Sequence, residues 1–173
     1  NLGKETVTLQ IADNTKVIEW AHKHKLKVKA LMSIGHPGET FESVRRIGDW
    51  LIAQQVDDFD LTIITPYPGS PYYDDAVPGR TQDYVYTQPK TGDRIYMLDI
   101  DYSIEAGYYK GVPGEYVSLV HTDALSADDL VHLRDEVDVR VRFALGLPMY
   151  SRPEVTNQHD HSMGQGPSLQ ASV

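Results

Sequence analysis

The chain has 173 residues and a formal net charge of −9, the size of one domain or part of one. It contains no cysteine, which excludes disulfides, thiolate catalysis, Cys-ligated zinc and a Cys-ligated iron–sulfur cluster within this chain. No run approaches the roughly 18 apolar residues of a membrane span and no signal peptide is visible, so the expected location is the cytoplasm. The acidic balance and scattered basic residues argue against a nucleic-acid surface.

The chain opens at Asn1, without an initiator Met, so an excised or processed piece is expected. Thr6 and Thr8 are suited to cap a first helix running to about His24, with Ile11, Val17, Ile18 and Ala21 as its apolar face. Lys23, Lys25, Lys27 and Lys29 straddle its end, where positive charge suits a helix C-terminus. Lys27 to Ile34 follows as a strand, apolar enough to predict a parallel strand covered on both faces. Thr40 is suited to cap a second helix, in which Phe41, Val44, Ile47, Leu51 and Ile52 recur at helical spacing to about Gln55. Phe59 to Thr65 is a second strand. The order is α-β-α-β, and a strand–helix–strand unit of this kind makes parallel neighbours.

The character changes after Thr65. Pro66, Pro68, Pro71 and Pro78 predict irregular chain from 66 to 79. Tyr84–Tyr86 and Ile95–Leu98 flank Lys90-Thr-Gly-Asp93 as a β-hairpin. Asp101 to Tyr116 is rich in tyrosine, glycine and acid. Ser126 opens a last helix with Asp129 at its N3 position, a Leu125–Leu130 staple, and a buried stripe of Leu130, Leu133, Val137, Val141 and Ala144. That helix should end near Gly146 and Pro148, and the polar tail from Ser151 onward is expected to be disordered.

The most informative pieces are the two strand ends. Val28 to Ile34 runs into Gly35-His-Pro-Gly-Glu-Thr40, and Phe59 to Thr65 runs into Pro66-Tyr-Pro-Gly-Ser-Pro-Tyr72. Ligands of α/β folds bind at the carboxyl ends of parallel strands. Glycine lets a ring approach backbone, and strand-end amides have lost their ladder partners. Taken alone, Pro37-Gly38 and Pro68-Gly69 read equally well as turn chemistry. Glu39 reads as an acid favoured by the helix dipole. His22 with His24, and His159 with His161, lack the i, i+4 spacing of a helical metal site, so no metal ligand is assigned.

Together, Lys27-Val-Lys-Ala-Leu-Met-Ser-Ile-Gly-His-Pro-Gly-Glu-Thr40 and Ile63-Ile-Thr-Pro-Tyr-Pro-Gly-Ser-Pro-Tyr72 resemble the second half of a radical S-adenosylmethionine (SAM) enzyme core. The branch it looks most like often carries a cobalamin-binding domain. The first helix (Thr6, Val7, Asn14) and Tyr108-Tyr-Lys-Gly-Val-Pro-Gly-Glu-Tyr116 also resemble that branch, so the likeness spans about residues 1–146.

The resemblance implies an α/β fold: the last strands and helices of a partial (β/α)6 barrel over 1–75, an extension with hairpin, Tyr-rich segment and C-terminal helix over 76–150, and the tail 151–173. It implies SAM and a four-iron four-sulfur cluster as cofactors of the intact protein, with cobalamin open. Ser33, Ile34, Gly35, Ile64, Thr65 and Pro66 would contact the adenine. Tyr67, Tyr108, Tyr109 and Glu115 would line a pocket for a small-molecule or peptide substrate. The family's three-cysteine loop is absent, so this chain alone is expected to be inactive and to need the N-terminal part of the same protein as its partner. His36 stands where the family usually has an apolar residue. Two other readings stay open: a non-catalytic α/β binding module, and a tRNA-modifying member of the family.

Overall fold

The structure is a computed structural model that describes residues 11–80, 83–99 and 117–149. In chain order the elements are α1 (Ile11–Lys23), β1 (Lys29–Ile34), α2 (Phe41–Gln54), β2 (Asp58–Ile63), α3 (Pro71–Asp74), β3 (Val77–Pro78), β4 (Asp83–Thr87), β5 (Arg94–Leu98), β6 (Val120–Thr122) and α4 (Ala127–Leu145). β1 and β2 are parallel neighbours, in a register that sets Ser33 opposite Thr62 and Ile34 opposite Ile63. The remaining strands make a separate antiparallel sheet in the order β3-β4-β5-β6. The fold is thus mixed α/β, and among the described residues no barrel closes.

α2 and α4 start where their caps say. The Thr40 hydroxyl accepts from the Ser43 amide (3.2 Å), and the Ser43 hydroxyl accepts from the Thr40 amide (2.8 Å), a reciprocal cap that satisfies two orphan donors. Ser126 and Asp129 do the same for α4, which ends at Gly146 in the left-handed region. Val44 and Leu51 of α2 are buried with Leu130, Leu133, Val137 and Val141 of α4, all fully removed from solvent. Phe59, Leu61 and Ile63 of β2 and Ile95, Met97 and Val120 of the second sheet join the same apolar cluster. Residues on both sides of position 76 therefore contribute to one core.

α4 also closes an edge. The Ile64 amide donates to Ile34 O, so the even-numbered positions of β2 point their backbone groups at β1, and Phe59 and Leu61 point theirs away. Those outward carbonyls accept from Arg142 Nη2 (3.3 Å) and Arg134 Nε (3.2 Å). Arg142 is itself buried against Asp138 (3.1 Å) and lies over the Phe59 ring. Two turns of one helix thus satisfy acceptors that a further strand would otherwise take.

Several expectations are corrected. Neither β1 nor the first helix is covered as predicted. Leu31 is 65% exposed, because α2 packs on one face of the strand pair only, while on the other face Lys29 reaches Asp58 and Asp60. Ile11 and Val17 are exposed and Ile18 alone of α1 is buried. In α4 the last apolar position turned inward is Leu145, half-buried, and Ala144 is exposed. The segment from 66 to 79 is not wholly irregular: Pro71 sits at the first position of α3, where a missing amide costs nothing, and Val77–Pro78 pairs at a sheet edge. The hairpin forms where expected, and it builds its own sheet with β3 and β6. The tail 151–173 and the caps Thr6 and Thr8 lie outside the described residues. Among the described residues, no helix is long and apolar enough to cross a membrane.

Candidate functional site

The two strand ends meet at one rim. The pairing of β1 with β2 continues one residue past the strands through Ile64 N–H to Ile34 O (2.9 Å). This brings Ser33, Ile34 and Gly35 beside Ile64, Thr65 and Pro66, as the sequence motifs suggested. Ile34, Gly35 and Pro66 are buried; Ser33, Ile64 and Thr65 are half-buried; Tyr67 is exposed on the adjoining loop. Tyr108, Tyr109 and Glu115 lie outside the described residues.

The β1 corner is built differently from a stretch of bare backbone. Gly35 has φ +94° and Gly38 φ +83°, a left-handed backbone that favours glycine at both. Between them the chain doubles back, and the Glu39 carboxylate accepts from the amides of Gly35 (2.7 Å) and His36 (3.2 Å) through one oxygen, Oε2. Glu39 therefore holds the corner and does not serve as a helix-start acid; it precedes the cap residue Thr40. The strand-end amides that were expected to await a ligand are engaged. A β-carbon at Gly35 would touch Ile63, Ile64 and Val120 at 3.4 Å, so that glycine lies against β6. A β-carbon at Gly38 would come within 2.7 Å of the Asp93 carboxylate at the hairpin turn.

A hydrogen-bonded chain of side chains crosses the rim. Ser33 Oγ lies 2.8 Å from His36 Nε2, and His36 Nδ1 lies 3.2 Å from the Tyr72 hydroxyl of α3. The Tyr72 ring packs on Tyr86 of β4 (4.9 Å between centroids), whose hydroxyl donates to Gln88. Burial holds the His36 imidazole below its usual range, so its neutral form is favoured. Burial pushes the Glu39 carboxyl up, and the two amide hydrogen bonds offset only part of that rise. Burial, with the nearby Tyr86 and Glu39, keeps Tyr72 protonated above the usual phenol range. A neutral imidazole has one donor and one acceptor nitrogen, and here each faces a hydroxyl.

Sequence reasoning missed His36 and Tyr72 as partners. The one signal was a histidine standing in an otherwise apolar-Pro-Gly corner. His22 is elsewhere, bonded to Asp57 (3.1 Å), which also accepts from the Val28 amide near the start of β1. Among the described residues no group of His, Asp and Glu is arranged to hold a metal ion. Compared with known protein families and with curated proteins, the chain matches none.

Proposed function

We propose that this chain is the C-terminal portion of a radical SAM enzyme core, with β1 and β2 as its last two barrel strands and the residues from 76 onward as an extension. The reading rests on one observation: two parallel strands joined by a single helix carry their Gly-x-Pro-Gly and Pro-x-Pro-Gly ends side by side at one rim.

The residues present fit the proposed groups unequally. With no cysteine, the chain offers no thiolate for an iron–sulfur cluster, so its ligands come from the N-terminal part of the same protein. For the adenine of SAM, the half-buried Ile64 and Thr65 at the end of β2 provide an apolar wall and a hydroxyl. When bound, SAM supplies hydrogen-abstracting radical chemistry, which belongs to the cofactor. This chain's own residues shape the rim: Glu39 fixes the β1 corner, and Ile64 and Thr65, backed by the buried Pro66, face the ligand from the β2 corner. Tyr67, exposed on the adjoining loop, faces a small-molecule or peptide substrate.

The test is equilibrium SAM titration of the intact gene product after anaerobic reconstitution with iron and sulfide. Ile64→Ala should weaken binding about four- to tenfold, as expected for losing about half of a buried aliphatic contact of ~1.5–3 kcal/mol. The 173-residue chain alone should develop no cluster absorption. Unchanged affinity in a correctly folded Ile64→Ala variant, or no SAM binding by the intact protein, overturns the reading.

A further inference from the structure

The Ser33–His36–Tyr72 chain has the parts of a base-activated nucleophile, and nothing in the proposed SAM chemistry uses it. Ser33 Oγ is within hydrogen-bond reach of an imidazole nitrogen (2.8 Å), and a third group orients that imidazole from the other side (3.2 Å). This arrangement of nucleophile, base and orienter underlies covalent catalysis on many unrelated folds. We propose that Ser33 is a reactive hydroxyl that accepts the acyl group of small uncharged esters, with His36 as its general base and Tyr72 as the residue that positions His36.

The proposal takes His36 as the Nδ1–H tautomer. Nδ1–H then donates to the Tyr72 hydroxyl oxygen, and Nε2 is the acceptor nitrogen that faces Ser33. The titratable and charged groups around His36 are Glu39 on its own corner, Tyr72 from α3, Tyr86 from β4 behind the Tyr72 ring, and Asp93 from the hairpin turn against Gly38. Glu39 is occupied with two amides and does not bond to the imidazole.

The substrate class follows from the strand. Ser33 alternates with Leu31 and Lys29 on the face of β1 that α2 does not cover, and Thr62 stands opposite it in register. Leu31 is 65% exposed there and offers apolar contact to a short acyl chain. Lys29 is held by Asp58 and Asp60, so it presents little free charge to a carboxylate or phosphate.

In the reaction, Ser33 Oγ adds to the ester carbonyl carbon as its proton passes to His36 Nε2. The bond to the alcohol oxygen breaks, and the departing alkoxide takes that proton from Nε2. Water then adds to the acyl-serine by the same route, the carboxylic acid leaves, and Ser33 is restored. The Gly35 and His36 amides already serve Glu39 and are not available as oxyanion donors. The acceleration is therefore that of general-base assistance alone, about 10²- to 10⁴-fold.

The experiment mixes the chain with p-nitrophenyl acetate and follows nitrophenolate release, then maps the acetyl group by peptide mass. The expected result is a burst approaching one equivalent, with acetyl on Ser33. The burst rate should rise with pH through a midpoint below the ordinary imidazole range, because burial holds His36 down. Ser33→Ala should abolish the burst, and Ser33→Cys should restore acylation if the corner is intact. His36→Gln, which keeps a hydrogen-bonding side chain without a base, should slow it about a hundredfold and remove the pH midpoint. Tyr72→Phe should slow it and shift that midpoint, which a merely structural tyrosine would not do. Acetylation spread over lysines with no burst, or a burst that survives in folded Ser33→Ala, overturns the proposal.

Discussion

Glu39 supports the rim at a measurable cost, and substituting it separates two effects. Its Oε2 is the acceptor for two amides, one of them on the buried Gly35. Glu39→Ala leaves both donors without that partner. An unsatisfied buried donor costs about 1–3 kcal/mol, and the more exposed His36 amide can recover water, so we expect a loss of about 1.5–3 kcal/mol. Glu39→Gln keeps an oxygen acceptor of the same reach and removes the charge. Burial raises the Glu39 pKa more than the amides lower it, so the folded chain binds the Glu39 proton more tightly than the unfolded chain does. Stability then falls as pH rises from the unfolded carboxylate value to the folded one, and is flat above it. At neutral pH the ionised side chain therefore sits on the unfavourable side of that window. Glu39→Gln should be neutral or stabilising there and should remove that part of the pH slope. Urea unfolding of the three proteins at several pH values from 4 to 8 provides the measurement. A Gln variant as destabilised as Ala at neutral pH, with the slope unchanged, would falsify the account and leave the charge itself as the stabilising feature.

The buried pair on α4 gives a larger effect. Asp138→Ala removes the nearest carboxylate from Arg142, whose side chain is 3% exposed and whose next carboxylate, Asp58, lies 3.9 Å away, and should cost about 3–5 kcal/mol; adding Arg142→Met should recover only part of that in a mutant cycle by chemical denaturation, because Phe59 O and Pro148 O then lose their guanidinium donor. The uncovered face of β1 predicts association: the isolated chain should self-associate in sedimentation velocity, and Leu31→Lys should reduce it, whereas a strictly monomeric parent at high concentration contradicts that expectation.

The parts legible in the sequence were those set by local chemistry. Thr40 and Ser126 announce their helices because a capping box is written within four residues. The β1–α2–β2 unit reads from apolar runs of the right length, and the hairpin from its flanking tyrosines and central Lys-Thr-Gly-Asp turn. What was not legible depended on partners far away in the chain. Arg134, Asp138 and Arg142 look like a solvated helix face, yet they are buried because β2 has an open edge for them to satisfy. The three residues of β6 are too few for alternation to register. The covering of β1 was overestimated because a continuous apolar run does not reveal how many layers the chain can supply. At the rim, the adjacency of the corners followed from parallel pairing, while the Ser33–His36–Tyr72 chain joins residues 36 positions apart and needed coordinates to be seen.

The engaged state of the β1 corner changes which residues a ligand can use. Gly35 was attractive as a place where a ring approaches backbone, but its amide goes to Glu39 and its open side lies against Ile63, Ile64 and Val120. A valine there would have to adopt φ +94°, a region that β-branched residues strongly avoid, and would press its branch toward β6. Its main effect is thus on folding of the corner, and loss of ligand binding in that variant would carry no information about contact. The β2 corner is freer to receive a ligand: Ile64 and Thr65 are half-buried, and Ile64 spends its amide on Ile34 but keeps part of its side chain at the surface. The contributions of the two corners are therefore unequal. The β1 corner is a fixed wall that carries Ser33 and His36, and the β2 corner is the surface on which binding energy should be measured.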